Sequence, residues 1–163
     1  MNIKCLYIFL ISSFFSFTFF CSSVGAQSIP TFKMLLTNGK TFYSKDLPPK
    51  KPVVIIYFSP DCEHCQTLMN AFFKKANDFK RAEIIMVTFR PLNEVADFEK
   101  SYQTYKYSNI IVGSEVPVFF FRVYYNLVNT PFTALFDKQG KYVYSYTKET
   151  PIDDLVIRLK MLK

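Results

Sequence analysis

The stretch Val53-Val54-Ile55-Ile56-Tyr57-Phe58-Ser59-Pro60-Asp61-Cys62-Glu63-His64-Cys65 decides how the rest of this chain is read. Its first six residues are continuously apolar, and four of them are β-branched. That is the pattern of a strand covered on both faces in a parallel or mixed sheet. Pro60 ends the strand. Beyond it, Cys65, Leu68, Met69, Phe72, Phe73, Ala76 and Phe79 recur at spacings of three and four. This spacing predicts a helix with one apolar stripe toward the sheet and Lys74, Lys75 and Asp78 toward water. Cys62 and Cys65 thus open a helix that follows a buried strand.

The chain has four cysteines, and the other two lie in or at the edge of an N-terminal apolar run. Lys4 supplies a positive charge, Leu6 to Phe20 is apolar with scattered Ser and Thr, and Val24-Gly25-Ala26 offers a cleavage site before Gln27. Residues 1–26 therefore read as a secretory signal peptide. Lipidation at Cys21 would need a small residue before it, and Phe20 stands there. An uncleaved anchor would need about 20 apolar residues, more than this polar-interrupted run provides. A mature exported chain keeps only Cys62 and Cys65, with no scaffold disulfide, so the pair is read as performing redox chemistry or binding metal. Export places it where disulfides persist, and the periplasm or envelope of a bacterium is the expected location.

Removing 26 of the 163 residues leaves 137, the size of one compact domain spanning 27–163. The formal charge of +7 falls by one with Lys4, and the remaining basic residues are dispersed as Lys50-Lys51, Lys74-Lys75, Lys80-Arg81, Lys138, Lys141 and Lys148. Dispersed charge describes a solvated surface rather than a nucleic-acid stripe. No second segment is long and apolar enough to span a membrane, so the mature form is expected not to do so.

On the N-terminal side, Phe32–Leu36 and Thr41–Tyr43 flank the turn Thr37-Asn38-Gly39-Lys40, a small hairpin, and Asp46–Pro52 is a proline-rich connector. On the C-terminal side, Ile84–Phe89 predicts a second buried strand and Asn93 to about Tyr105 a second helix with a stripe of Val95, Phe98 and Tyr102. Ile110-Ile111-Val112 reads as a short strand or as loop. From Pro117, placed in a first helical turn with Ser114 as its cap, the pattern Phe120, Val123, Tyr124, Leu127 predicts a helix, although the same residues favour β structure. Phe132–Phe136 and Tyr142–Tyr146 form a hairpin around Asp137-Lys138-Gln139-Gly140, and Thr150-Pro151 caps a closing helix with Ile152, Leu155, Val156 and Leu159 buried.

A buried strand, Cys-x-x-Cys opening a helix, another strand and helix, then Thr-Pro before a hairpin and a final helix resembles the thioredoxin-like superfamily. The Lys51-Pro52-Val53-Val54 approach, Ser59 to Cys65, Asn129-Thr130-Pro131-Phe132 and Phe136-Asp137-Lys138-Gln139-Gly140-Lys141 look most like the exported TlpA/ResA-type thiol-disulfide oxidoreductases. The resemblance covers about Phe32 to Leu162. It implies an α/β thioredoxin fold: a central mixed sheet flanked by helices, an N-terminal hairpin extension and an insertion before a cis-proline. Pro131 would be that proline, its loop facing the dithiol so that the Thr130 backbone pairs with an extended substrate segment. The resemblance also implies a membrane dithiol carrier as electron source and substrate proteins bearing disulfides or thiols, and no cofactor is expected. Two departures stand out. Asp61 occupies the place of the Trp that usually precedes the first cysteine, and Ile56 that of the buried carboxylate six residues before it.

At a helix start Cys62 lies near unpaired amides and the positive end of the helix dipole, which favour thiolate and mark it as the nucleophile. Cys65, one turn on, is the resolving thiol. Three neighbours tune the pair: His64 when protonated favours the thiolate, while Glu63 and Asp61 disfavour it. Their plainer roles are a surface histidine and a first-turn helix glutamate. The charge count favours the thiol, hence a more reducing couple than a DsbA-type oxidant, although orientation in the fold can reverse it. Two other functions compete. A copper-binding chaperone could hold a soft metal on two thiolates and His64, but no Met- or His-rich tract accompanies them. A peroxidase would carry Pro-x-x-x-Thr/Ser-x-x-Cys, of which Ser59 matches and Ile55 does not. The cluster Phe119-Phe120-Phe121 with Tyr124-Tyr125 reads as packing rather than a cofactor box.

Overall fold

The computed structural model describes residues 28–162. The signal-peptide reading, its cleavage site, Cys5 and Cys21 lie outside the described residues. The chain folds as a seven-stranded mixed sheet in the order β2-β1-β5-β4-β3-β6-β7. The strands are β1 (Lys33–Leu35), β2 (Thr41–Tyr43), β3 (Val53–Phe58), β4 (Glu83–Thr88), β5 (Ile110–Val116), β6 (Phe132–Phe136) and β7 (Tyr142–Thr147). The helices are α1 (Glu63–Lys74), α2 (Leu92–Tyr102), α3 (Phe120–Tyr125) and α4 (Ile152–Met161). β3, β4 and β5 run parallel, and the remaining pairs are antiparallel. This is the thioredoxin-like α/β fold with its N-terminal hairpin.

Every residue of β3 and β4 is buried, because both faces of the sheet are covered. Alternation along β3 splits the core in two. Val54, Ile56 and Phe58 pack with α1, α2 and α4 through Leu68, Phe72, Phe98 and Leu155, whereas Val53, Ile55 and Tyr57 pack with Phe32, Phe121 and Phe132 on the other face. The α1 stripe continues past the helix into a 3-10 turn, Ala76–Phe79, where Phe79 stacks on Phe72 with ring centroids 4.6 Å apart. The α2 stripe buries Val95 and Phe98, and the helix stops at Tyr102 because Gln103 adopts a left-handed conformation (φ 52°) that no helix continues.

Ile110-Ile111-Val112 belongs to a true strand. It extends to Val116 and pairs with β4 and with β1. At Gly113 a Cβ would stand 2.8 Å from the Leu35 carbonyl oxygen, so β1 crosses β5 closely only because glycine is there.

Three sequence expectations need correction here. Ser114 is a β5 residue paired with Leu35 and caps nothing. Pro117 lies outside the helix, after a cis Val116–Pro117 bond, and α3 begins three residues later behind Phe119. The residue that α3 buries fully is Phe121; of the expected stripe, Phe120 and Leu127 are half-buried against the core, whereas Val123, 82% exposed, and Tyr124 face outward. The cause is Glu115: its carboxylate accepts the Phe119 and Phe121 amides, both at 2.8 Å, and fixes the helix's rotation. In α4 the stripe is as expected, but Pro151 is the cap residue, and the Thr150 hydroxyl instead meets that of Thr133 at 2.8 Å.

Candidate active site

β3 carries the chain to Ser59, whose carbonyl accepts the Cys62 amide at 3.1 Å and turns the backbone back over the sheet. Cys62 is then the N-cap residue of α1, still extended (φ −90°, ψ 121°), and its carbonyl accepts the Gln66 amide. The two sulfurs meet different surroundings as a result. Cys62 is half-buried, while Cys65, on the inner stripe, is only 1% exposed and its sulfur accepts the Ser59 N–H at 3.5 Å.

The second wall comes from β6, the antiparallel neighbour of β3. Tyr57 pairs with Phe132, which places Thr130–Pro131 opposite the end of β3. The Thr130–Pro131 bond is cis, and the Cys62 thiol donates to the Thr130 carbonyl oxygen at 3.5 Å. The structure thus brings Cys62, Cys65, Thr130 and Pro131 together, although about 65 residues of sequence separate the dithiol from the loop.

Burial pushes the Cys62 thiol up, but hydrogen bonds outweigh it and bring it below an ordinary cysteine. They come from the Cys65 side chain, from Thr130 and from the backbone amides of Cys65 and His64. Burial raises Cys65 to about 12. Cys62 is therefore the thiol that ionises first, and Cys65 holds its proton.

The residues expected to tune the pair are all exposed. Glu63 and His64 occupy the first turn of α1, and His64 borders a groove with Thr150 and Pro151. Asp61 accepts a short hydrogen bond from the Ser59 hydroxyl, the main reason its carboxyl is held below the usual range. Asp61 also lies 3.8 Å from Arg90, whose Nε and Nη2 bind Glu94 at 2.7 and 2.9 Å. The local charge count at the dithiol omitted this cation, so Asp61 is partly compensated. The one signal for it is register: Phe58 pairs with Thr88, so the residues just past β4 lie beside those just past β3.

Ile56 is wholly buried on the helix-covered side of the sheet, so hydrocarbon fills the position where the resemblance has a carboxylate. Among the described residues the two buried carboxylates are elsewhere. Glu83 stands at the start of β4, 3.5 Å from Lys51. Glu115 lies on the opposite face and accepts the Tyr57 hydroxyl at 2.9 Å, with burial raising both its own pKa and that of Tyr57. Its role was not apparent in the sequence. Among the described residues, no three His, Cys, Asp or Glu side chains converge as a metal-ligand set.

Fold and site together define a thioredoxin-fold protein with a dithiol at a helix start. The AhpC/TSA family profile matches residues 25–158, and the chain belongs to that family of thioredoxin-like oxidoreductases. Solved structures agree on the fold. The exposed lipoprotein thioredoxin of Streptococcus pneumoniae is 23% identical, covering 82% of this chain and all of its own, with a TM-score of 0.62. A secreted Mycobacterium tuberculosis disulfide oxidoreductase, described as homologous to Escherichia coli DsbE, is 18% identical over 81% of this chain and 96% of its own (TM-score 0.65). A peroxiredoxin-like protein from Aquifex aeolicus is 18% identical over 85% and 86% (TM-score 0.67). No curated protein matches the chain in sequence. Among the described residues no helix is long and apolar enough to cross a membrane.

Proposed function

We propose that this protein reduces disulfides in other proteins, in the exported compartment to which its leader directs it. The Cys62 thiolate attacks one substrate sulfur, forming a mixed disulfide and releasing the other substrate sulfur as thiolate. Cys65 then gives up its proton and attacks Cys62 Sγ, releasing the second substrate thiol and leaving a Cys62–Cys65 disulfide. Two electrons pass to the substrate, and an external dithiol, such as a membrane carrier, returns them. Thr130 and Pro131 hold the substrate backbone; Asp61, Glu63 and His64 set the potential.

The observation that carries the direction is the set of groups lowering Cys62. All are neutral groups and none is a cation, since Arg90 is occupied by Glu94 and Asp61. A thiolate stabilised this way is held less firmly than one beside a positive charge, so the reduced form is less favoured than in strong oxidants. The expected potential lies nearer thioredoxin at about −270 mV than DsbA at about −120 mV. Equilibration in glutathione or dithiothreitol buffers measures it. A value within about 30 mV of the DsbA figure would make this protein an oxidant.

The peroxidase reading is not favoured by geometry: Ile55, where its proline would stand, is the middle of β3 and lies in the ladder between Ile85 and Ala134. Metal titration against Cys62→Ser tests the chaperone reading, which requires stoichiometric copper binding that the variant loses.

A further inference from the structure

Ser59 meets the dithiol loop through three of its atoms. Its amide donates to Cys65 Sγ at 3.5 Å, its carbonyl accepts the Cys62 amide at 3.1 Å, and its hydroxyl donates to the Asp61 carboxylate. The residue directly follows β3 and is 5% exposed. Pairing of β3 with β6 reaches Tyr57 and pairing with β4 reaches Phe58, so the Ser59 amide is the first beyond both ladders. It turns to a sulfur instead.

The resolving step makes a demand that Cys62 does not meet. Cys65 must carry negative charge while buried in a hydrocarbon cluster with Ile56, Phe58 and Leu68. A charge so placed is costly unless hydrogen-bond donors reach it. Burial opposes its ionisation most, the Ser59 amide leads the groups that favour it, and Thr130 also favours it against the neighbouring Cys62 sulfur. Once Cys62 is bonded to a substrate, its sulfur carries no charge and its opposition ends. The donors then face burial alone.

The amide can serve only while the turn holds it on the sulfur. Ser59-Pro60-Asp61-Cys62 is closed twice from Ser59, by main chain to Cys62 and by hydroxyl to Asp61. Pro60 fixes a φ angle between them.

We propose that Ser59 is a positioning residue for the resolving half-reaction: its hydroxyl, clipped to Asp61, holds its own amide on Cys65 Sγ as that sulfur ionises. This rests on the proposed disulfide exchange. The Cys65 proton leaves to solvent, the Sγ electron pair forms the bond to Cys62 Sγ, and the substrate sulfur departs with the pair of the broken bond, to be protonated in water. Asp61 therefore acts in two opposed ways. Its charge disfavours both thiolates, while its bond to Ser59 supports the one at Cys65.

The test uses the full reduced protein and one equivalent of dithiobis(nitrobenzoate). Attack by Cys62 releases one coloured thionitrobenzoate and closure by Cys65 releases the second, so stopped-flow absorbance separates the two halves. Ser59→Ala should slow the second phase about tenfold at neutral pH and move its pH midpoint up by about one pH unit, the scale of one lost hydrogen bond to a charged group. The first phase should change by less than about twofold. Asp61→Ala separates clip from charge: loss of charge alone speeds both phases, whereas loss of the clip slows the second while the first quickens. Asp61→Asn drops the charge but keeps an acceptor, and should quicken both. Asp61 is exposed, so its variants test the clip even where Ser59→Ala does not fold. A second phase as fast as wild type in both alanine variants would overturn the role of Ser59. So would equal slowing of both phases with rapid alkylation of Cys65, the mark of a loosened fold. Release of a single equivalent by the wild type would instead overturn the exchange reading.

Discussion

Glu115→Ala is expected to destabilise the fold by about 3 kcal/mol. The carboxylate is 1% exposed and accepts three hydrogen bonds, from the Phe119 and Phe121 amides and the Tyr57 hydroxyl, at 2.8, 2.8 and 2.9 Å. Each donor left unpaired in the interior costs about 1–3 kcal/mol. Against their sum stands the desolvation that the alanine no longer suffers, several kcal/mol for a buried carboxylate. The balance falls at the lower end of the ~3–5 kcal/mol seen when one partner of a buried charged network is removed. At a urea m-value of about 2 kcal/mol per molar, the midpoint should drop by about 1.5 M with m unchanged. The loss should be concentrated at α3, so amide exchange at Phe119 and Phe121 should accelerate before that in β3 or β4. A midpoint within about 0.3 M of wild type, or uniform loss of protection, would refute the reasoning and show that α3 is held by Phe121 burial alone.

At the dithiol, alkylation should strike Cys62 first at neutral pH, its rate rising with pH to a midpoint below that of an ordinary cysteine, while Cys65, near 12, stays unreactive; preferential labelling of Cys65 would reverse the assignment. Cys65→Ser should accumulate mixed disulfides with substrate proteins and Cys62→Ser should not, which non-reducing electrophoresis reads directly. Glu63→Gln should raise the potential and His64→Ala should lower it, measured in the same redox buffer. Arg90→Gln frees the Asp61 carboxylate and should slow Cys62 alkylation by about twofold or less, an effect that vanishes in high salt because Asp61 is exposed; an acceleration would mean that Arg90 acts through something other than Asp61.

What the sequence revealed and concealed follows the range of the interactions involved. The β3 run, the α1 stripe and the cysteines at their junction are local patterns, and they survive intact in the structure. The segment after β5 forms a helix as its spacing suggests, but the start and rotation of that helix were not legible, because Phe119 to Tyr125 is aromatic at every spacing and carries no period of its own. Its rotation is set by Glu115, and Phe119 enters a left-handed conformation (φ 67°) that its type rarely adopts. Arg90 was invisible for a different reason. Its approach to Asp61 depends on two parallel strands ending at the same level, which only the sheet register fixes.

Asp61, Glu63 and His64 are all open to solvent, whereas Cys65 beneath them is sealed. Their side chains fill no space in the interior, so substitutions among them should cost the oxidised fold little, within about 0.5 kcal/mol at such surface positions. On the proposed tuning role, every 30 mV they add to the potential should appear as about 1.4 kcal/mol gained by the reduced form over the oxidised one. A library randomised at these three positions should therefore yield oxidised proteins that melt at nearly one temperature and reduced proteins whose melting temperature climbs with the potential, so that a thermal melt of the two forms ranks the variants as reductants or oxidants.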